Sequence, residues 1–158
     1  GKSRMPVAIM AMGIVFNLLN GMMQAGGLFY FAPEGLYADG WAYLLKPHAL
    51  LGIILFFAGM FVNLHSDYVI RHLRRPGDTK HYLPGKGLYR YVTSANYFGE
   101  LVEWTGFAIL TASPAAGVFV SWTFANLVPR ADAIHRRYRE EFGDEVVGKR
   151  KRIIPFLY

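Results

Sequence analysis

From Met5 to Ala32 the chain runs for 28 residues without a charged side chain, interrupted only by Asn17, Asn20 and Gln24. Roughly 20 apolar residues suffice to cross a bilayer, so this run predicts a transmembrane helix. It is too long for a removable signal peptide, whose apolar core holds about 7–15 residues. Ala49 to Val62 is a second charge-free run, which Leu44, Leu45 and Leu64 extend toward spanning length. Tyr97 to Val128 is apolar for 32 residues apart from Glu100, Glu103 and scattered Ser, Thr and Asn, with Ser113-Pro114 in its middle. This last pattern fits one kinked helix or two.

Charge decides between them, because Lys and Arg in short loops favour the cytoplasmic side. Two cations precede the first run (Lys2, Arg4), one (Lys46) lies in the first connection, six in the connection from Ser66 to Asn96, and eight in the tail from Arg130. Four spans place 16 of the 17 cations on one face, whereas three would set the tail's eight against the rest. The sequence thus predicts an all-α, polytopic membrane bundle with four transmembrane helices in residues 1–158. The 66–96 connection and both chain ends are expected in the cytoplasm.

The first connection, Pro33 to His48, is rich in Gly, Tyr and Trp and suits an interfacial loop with aromatic anchors. The 66–96 connection is expected to begin as a helix continuing past His65, to break at Arg75-Pro76-Gly77-Asp78, and to turn through Leu83 to Gly87. An amphipathic basic helix is expected from Arg130 to about Phe142, stopped by Gly143-Asp144.

Composition agrees with a lipid environment. Hydrophobic residues make up 53% and charged residues 18%, against about 25% charged in soluble domains. That hydrophobicity excludes a disordered chain. The lack of Cys excludes disulfides and thiolate metal sites. The five His contain no HExxH, so no metal site is expected. There is no glycine-rich dinucleotide fingerprint and no P-loop. The basic segments lack an aromatic platform on a nucleic-acid fold, so no nucleic-acid partner is expected. Their sidedness fits lipid and soluble anions instead.

Two polar stripes stand out. Asn63, Asp67 and Arg71 recur every four residues, with Arg74 and Arg75 one turn further. Such a stripe could follow a ligand with an uncharged polar ring at one end and phosphates at the other, or hold an Asp67–Arg71 pair at the headgroups. Asn96, Glu100 and Trp104 share a face at the start of the third span, with Glu103 beside them. Carboxylates entering a bilayer cost about 3 kcal/mol each, which directs them to a bundle interior or wet cavity. Alternatively they remain hydrated at a helix N-terminus. Asn17, Asn20 and Gln24 either line a cavity or bind neighbouring helices through amide hydrogen bonds.

The sequence resembles the steroid 5-alpha-reductase family, also called 3-oxo-5-alpha-steroid 4-dehydrogenases, over almost its whole length. The resemblance lies in Asn20-Gly21 with Gln24, Gly59 to Tyr68, Leu73 to Gly77, Tyr91 to Glu100, Glu103 to Phe107, and the ending Lys149 to Tyr158. It implies an integral membrane enzyme that reduces a carbon–carbon double bond conjugated to a ketone, with NADPH as hydride donor and a lipophilic, steroid-like substrate entering from the bilayer. It further implies that Asn63, Asp67, Arg74, Asn96, Glu100, Arg130 and Tyr138 surround the cofactor, with Trp104 beside the nicotinamide. His135 falls where the family often has consecutive His, and Ile134 departs from that pattern.

The family has about seven membrane helices, and on this resemblance the chain begins at the fourth. The Glu and Tyr that bind the steroid ketone would then lie in preceding helices of the same protein, leaving no catalytic residue assignable here. The alternatives are an enoyl-thioester or polyprenoid reductase of the same superfamily, an S-adenosylmethionine-dependent membrane methyltransferase, or a non-enzymatic scaffold.

Overall fold

The computed structural model describes residues 6–74 and 77–158. Lys2, Arg4, Arg75 and Pro76, and with them part of the expected break, lie outside the described residues. Five α-helices follow in order: α1 (Val7–Phe29), α2 (Pro47–Arg71), α3 (Ala95–Thr111), α4 (Pro114–Phe142) and the short α5 (Asp144–Val147). Single 3-10 turns at Gly40–Leu45 and Gly87–Arg90 precede α2 and α3. Among the described residues there is no strand, only an isolated parallel bridge between Val92 and Lys151.

The long apolar stretch is two helices. Ala112 adopts a left-handed φ of 47° and Pro114 starts α4, where its missing N–H costs nothing. The expected fourth span and the expected basic helix are, in contrast, one continuous helix. Pro129 lies inside it, removing the donor to the Ala125 carbonyl without ending the helix. At about 1.5 Å per residue, α4 is some 43 Å long, well beyond a hydrocarbon core of about 30 Å. Gly143, at φ 85°, stops it as the sequence suggests. By length and composition α1 and α2 can cross a membrane; α3, with 17 residues and two Glu, does not meet the same measure.

Backbone contact between α2 and α3 organises the bundle. A Cβ built on Gly99 would lie 2.5 Å from the Asn63 amide nitrogen and 2.8 Å from the Gly59 carbonyl oxygen. One built on Gly106 would lie 2.8 Å from the Gly52 carbonyl oxygen. Gly52 and Gly59 on α2 thus interlock with Gly106 and Gly99 on α3, and the pairing makes the two helices antiparallel. Only hydrogen in place of a side chain permits this approach, as in small-residue interfaces of membrane helices.

α4 returns antiparallel to α3, burying Leu127 and Ala131 against Leu101. α1 touches α4 through Gly27 at Ala115, Gln24 Nε2 donating to the Ala115 carbonyl at 3.3 Å, and Phe16 against Phe119 and Trp122. Of the two roles open to the amides of α1, Gln24 therefore binds a neighbouring helix. Asn17 bonds its own helix, at the Gly13 carbonyl. This up-and-down order puts Lys46 at one end of the bundle and Arg71, Arg74, Arg90 and Arg130 at the other.

At the Lys46 end, Tyr37 and Tyr43 hydroxyls donate to the Thr111 and Leu110 carbonyls at 2.5 and 2.8 Å. They satisfy carbonyls that the end of α3 leaves without intrahelical donors. Trp41, 88% exposed, is the aromatic available as an interfacial anchor.

At the opposite end the tail folds back. Thr93 N–H donates to Lys151 O at 2.9 Å, Ser94 N–H to Arg152 O at 3.1 Å, and Ile153 is fully buried against Leu101, Leu127 and Ala131. Arg152 binds Asp132 at 2.5 Å, and His135 Nδ1 lies 3.3 Å from Thr93 Oγ1. Burial, followed by the nearby Arg152 and Arg139 cations, pulls the His135 pKa down.

Two outcomes follow from this packing. Gly59→Ala or Gly99→Ala should destabilise the bundle by about 1–3 kcal/mol, since backbone must move. Gly117→Ala, where a Cβ meets nothing within 4 Å, should be neutral or stabilising by up to about 1 kcal/mol. Unfolding in denaturing detergent, followed by circular dichroism, distinguishes them; equal effects at the three sites would refute the glycine seam. Secondly, the His135 pKa is lowered in the folded state while the unfolded chain protonates near its ordinary value of about 6.5, so its contribution is present above that value and lost progressively as pH falls below it. Asp132 and Asp144, held low by Arg partners, lose theirs only below about pH 4. Stability should therefore drop as pH falls below about 6.5, and His135→Gln should flatten that slope.

Candidate functional site

α2 and α3 bring their polar stripes together because the glycine seam ends beside them. Gly59 and Gly99 hold Asn63 next to the α3 backbone, and the Asn63 side chain faces the Glu103 carboxylate. One turn further along α2, half-buried Asp67 pairs with exposed Arg71 at 3.6 Å. On α3, Asn96 occupies the first turn and Glu100 the second. The charges acting on Glu100 come from three helices: Glu103 beside it, Asp67 on α2 and Arg130 on α4.

Tyr89 is the point at which these elements meet, and the sequence reading missed it. It is 1% exposed, and its hydroxyl donates to Asn96 Oδ1 at 3.3 Å. Tyr138 on α4, Asp67 on α2 and Tyr97 on α3 all act on it electrostatically. Burial pushes the Tyr89 hydroxyl well above its ordinary value, so it remains a neutral donor. With Oδ1 engaged, Asn96 offers its Nδ2 hydrogens to a ligand. Gly87, at φ 59°, makes this possible: the turn carrying Tyr89 lies against the His65 ring near the end of α2 in a left-handed conformation that glycine adopts without strain.

Two cavities flank this junction. The larger, about 530 Å³, has apolar walls from α1 (Ile9, Met12, Phe16) and α4 (Phe119, Trp122, Leu127), with Glu100, Thr123, Asn126 and Arg130 as its polar groups. Trp104 stands edge-on to Phe119 with ring centres 4.6 Å apart, so it backs this wall and is absent from the cavity's lining. The smaller, about 190 Å³, is lined by Arg74, His81, Tyr82, Ile134, Arg137, Tyr138 and Glu141. Arg130, Ile134 and Tyr138 recur at i, i+4 and i+8, so one face of α4 leads from the first cavity to the second, about 12 Å away along the helix.

Arg74 reaches the site differently from the sequence expectation. α2 closes at His72, whose N–H donates to Tyr68 O, so Arg74 is not a further turn of the Asn63–Asp67 face. It lies beyond the helix and meets Tyr138 across the smaller cavity. There Asp78, fixed by Lys80 N–H and the Tyr82 hydroxyl, is within electrostatic reach of Arg74. His81 contacts Glu141 at 2.8 Å, tying the 77–86 segment to α4. His135 points to Thr93 and the tail, while Ile134 faces the cavity. Among the described residues no cluster of three His, Asp or Glu could hold a metal.

The chemistry of the set is divided by position. Apolar walls ending in Glu100 and Arg130 suit a lipophilic body with one polar group. Arg74, Arg137 and the Tyr138 hydroxyl suit an anion, with Tyr82 already donating to Asp78 and Glu141 lying 3.9 Å from Arg137, and the Asn96 and Asp67 region between the cavities suits amide or hydroxyl partners.

Known proteins provide an independent comparison. The family model described as 3-oxo-5-alpha-steroid 4-dehydrogenase matches residues 3–158. The 3-oxo-5-alpha-steroid 4-dehydrogenase 1 of Macaca fascicularis is 42% identical over 158 residues, covering all of this chain and 58% of that protein. The human protein of the same name is likewise 42% identical, with 59% of its length covered. The Steroid 5-alpha-reductase DET2 of Arabidopsis thaliana is 36% identical, again over the whole chain and 59% of the relative. The chain thus spans somewhat under three-fifths of these relatives, with matches running from end to end of its own sequence. It belongs to the 3-oxo-5-alpha-steroid 4-dehydrogenase family.

Proposed function

We propose that this chain is the four-span, cofactor-binding part of a membrane reductase that transfers hydride from NADPH to the conjugated double bond of a 3-oxo-4-ene steroid or similar lipid enone. The single observation that carries the reading is the α4 face from Arg130 to Tyr138, which joins an apolar cavity to a cationic one past the Tyr89 junction. The steroid names of the relatives favour it over the enoyl-thioester, polyprenoid and methyltransferase readings. The cation-rich bundle end, with the 66–96 connection and the tail, is placed in the cytoplasm by the positive-inside rule.

The residues present fit a dinucleotide by chemistry. Arg74, supported by Arg137, would hold phosphate oxygens, and the neutral phenol of Tyr138 would donate beside them. Burial raises the Tyr138 hydroxyl above its usual value, which keeps its proton available for donation. Asp67 would accept from ribose hydroxyls, and Asn96, fixed by Tyr89, would donate to the nicotinamide carboxamide. Glu100 would accept from the same carboxamide, with Arg130 balancing its charge. When bound, NADPH supplies the hydride. The aromatic wall of Phe119 and Trp122, backed by Trp104, would keep water from the place where it is delivered.

Intact protein purified in detergent should bind NADPH and consume it only when given a conjugated enone. Binding of S-adenosylmethionine without NADPH binding would overturn the assignment. Arg74→Ala should weaken NADPH binding by about 1.5–3 kcal/mol, the range for a hydrogen bond to a charged group. An unchanged dissociation constant in a folded variant counts against its role. Glu100→Gln should reduce cofactor affinity and turnover together and leave the pH profile of the residual activity in place. Intact affinity with loss of the acidic limb of the pH-rate profile would make Glu100 an acid–base residue instead.

A further inference from the structure

A third cavity, about 490 Å³, opens where the tail meets the turn before α3, and it shares no residue with the two described above. Arg90, Lys149 and Lys151 line it, together with the Tyr91 and Phe156 rings, whose centres are 5.1 Å apart. No carboxylate lines it, and among the described residues none lies within 4.0 Å of these three cations. The neighbouring arginines are committed elsewhere: Arg150 donates to the Pro84 carbonyl at 2.8 Å and Arg152 binds Asp132. Nearby Asp144 is taken by Arg139. Three cations converging on a concave surface without a counter-charge repel one another until an anion enters.

The flank of this cavity identifies the anion's source. Phe156 has a positive φ of 66°, a value that a residue with a side chain adopts at a cost. The turn is enforced by Ile153 and Ile154 N–H groups donating to the Tyr158 oxygen at 2.8 Å. Its result is to leave Phe156 77% and Leu157 74% exposed, an arrangement that gains nothing in water. The same tail follows the apolar shell of the bundle: Ile153 is buried against Leu101 and Leu127, and Ile154 shares a groove with Leu55, Val102 and Phe124. Phe156 and Leu157 therefore stand at the level where apolar helix surface gives way to the basic end, with the cationic cavity beside them.

We propose that this cavity binds the phosphate of an anionic phospholipid headgroup. Arg90, Lys149 and Lys151 engage its oxygens, and Phe156 and Leu157 lie among the first acyl carbons. The lipid thereby anchors the tail that covers the start of α3. The inference rests on the membrane reading of the bundle and is independent of NADPH and of the reaction.

Intact protein in a neutral detergent is offered phosphatidylglycerol or phosphatidylcholine at equal concentration, and bound lipid is counted by native mass spectrometry. One phosphatidylglycerol should be retained in preference to phosphatidylcholine. Arg90→Gln and the pair Lys149→Gln with Lys151→Gln should lower that retention roughly fivefold per cation removed, the usual effect of a basic residue at a membrane surface. Phe156→Ser should lower it as well. Equal retention of the two lipids, or retention indifferent to the charge substitutions, overturns the site. Displacement of phosphatidylglycerol by millimolar inorganic phosphate or glycerol phosphate, with Phe156→Ser having no effect, would assign the cavity to a soluble anion and overturn the lipid proposal. The comparison of lipids and anions uses unsubstituted protein, so it stands even if a variant fails to fold.

Discussion

The contact on which the rest of the structure depends is the backbone-to-backbone approach of α2 and α3. Four glycines, Gly52, Gly59, Gly99 and Gly106, remove the side chains that would hold these helices apart. Lipid tails are as apolar as leucine, so no hydrophobic force draws such helices together. Close van der Waals packing must do so, and it weakens steeply with separation. The functional consequence is positional. Asn63 and Asp67 follow Gly59 by one and two turns, and Asn96 and Glu100 bracket Gly99, so the seam that joins the helices also brings the polar stripes face to face.

Bringing carboxylates together in such a setting has its own requirement. Asp67, Glu100 and Glu103 are close enough to act on one another or on the same neighbours, with Arg130 the cation acting on Glu100. Like charges in a half-buried site are unfavourable, and donors must compensate. The structure provides them from outside α2 and α3: Arg130 comes from α4, the Tyr89 hydroxyl from the turn before α3, and the tail holds that turn through Thr93, Ser94 and Lys151. The tail thus contributes to the candidate site without touching it. It fixes the turn, the turn places Tyr89, and Tyr89 orients Asn96.

Much of the helical architecture was legible because it depends on periodicity and charge. α1 and α2 follow from their apolar runs, and the division of the Tyr97–Val128 stretch into two helices from the distribution of Lys and Arg. The end of α2 was misplaced because Leu73 and Arg74 carry no helix-stopping side chain; the stop comes from His72 turning back onto Tyr68. Similarly, the fourth span and the basic helix from Arg130 were expected as separate elements, yet packing of Leu127 and Ala131 on α3 carries one helix through Pro129. Within the candidate site, Asn63, Asp67, Asn96 and Glu100 were found by their spacing. Arg130 and Tyr138 were named only through the family resemblance, and Arg74, placed on the stripe by spacing, meets Tyr138 across a loop and a helix that no spacing connects. Tyr89 was invisible: one tyrosine among ten, in a turn without periodicity, distinguished only by the depth to which Gly87 lets it sink.

The uninterrupted course of α4 has a further consequence, which concerns angular phase. Each residue turns a helix by about 100°, so the eight steps from Arg130 to Tyr138 bring the two side chains to within about 80° of each other. One residue inserted between them would open that angle to about 180° and carry Tyr138 to the far side of the helix. One residue removed would narrow it to about 20°, at a shift of only some 1.5 Å along the axis. Either change turns Tyr138 by about 100° from its native direction, to the far side of the helix or past Arg130 to its other side, so the segment between the two cavities should tolerate neither lengthening nor shortening, a constraint that a flexible linker in its place would not impose.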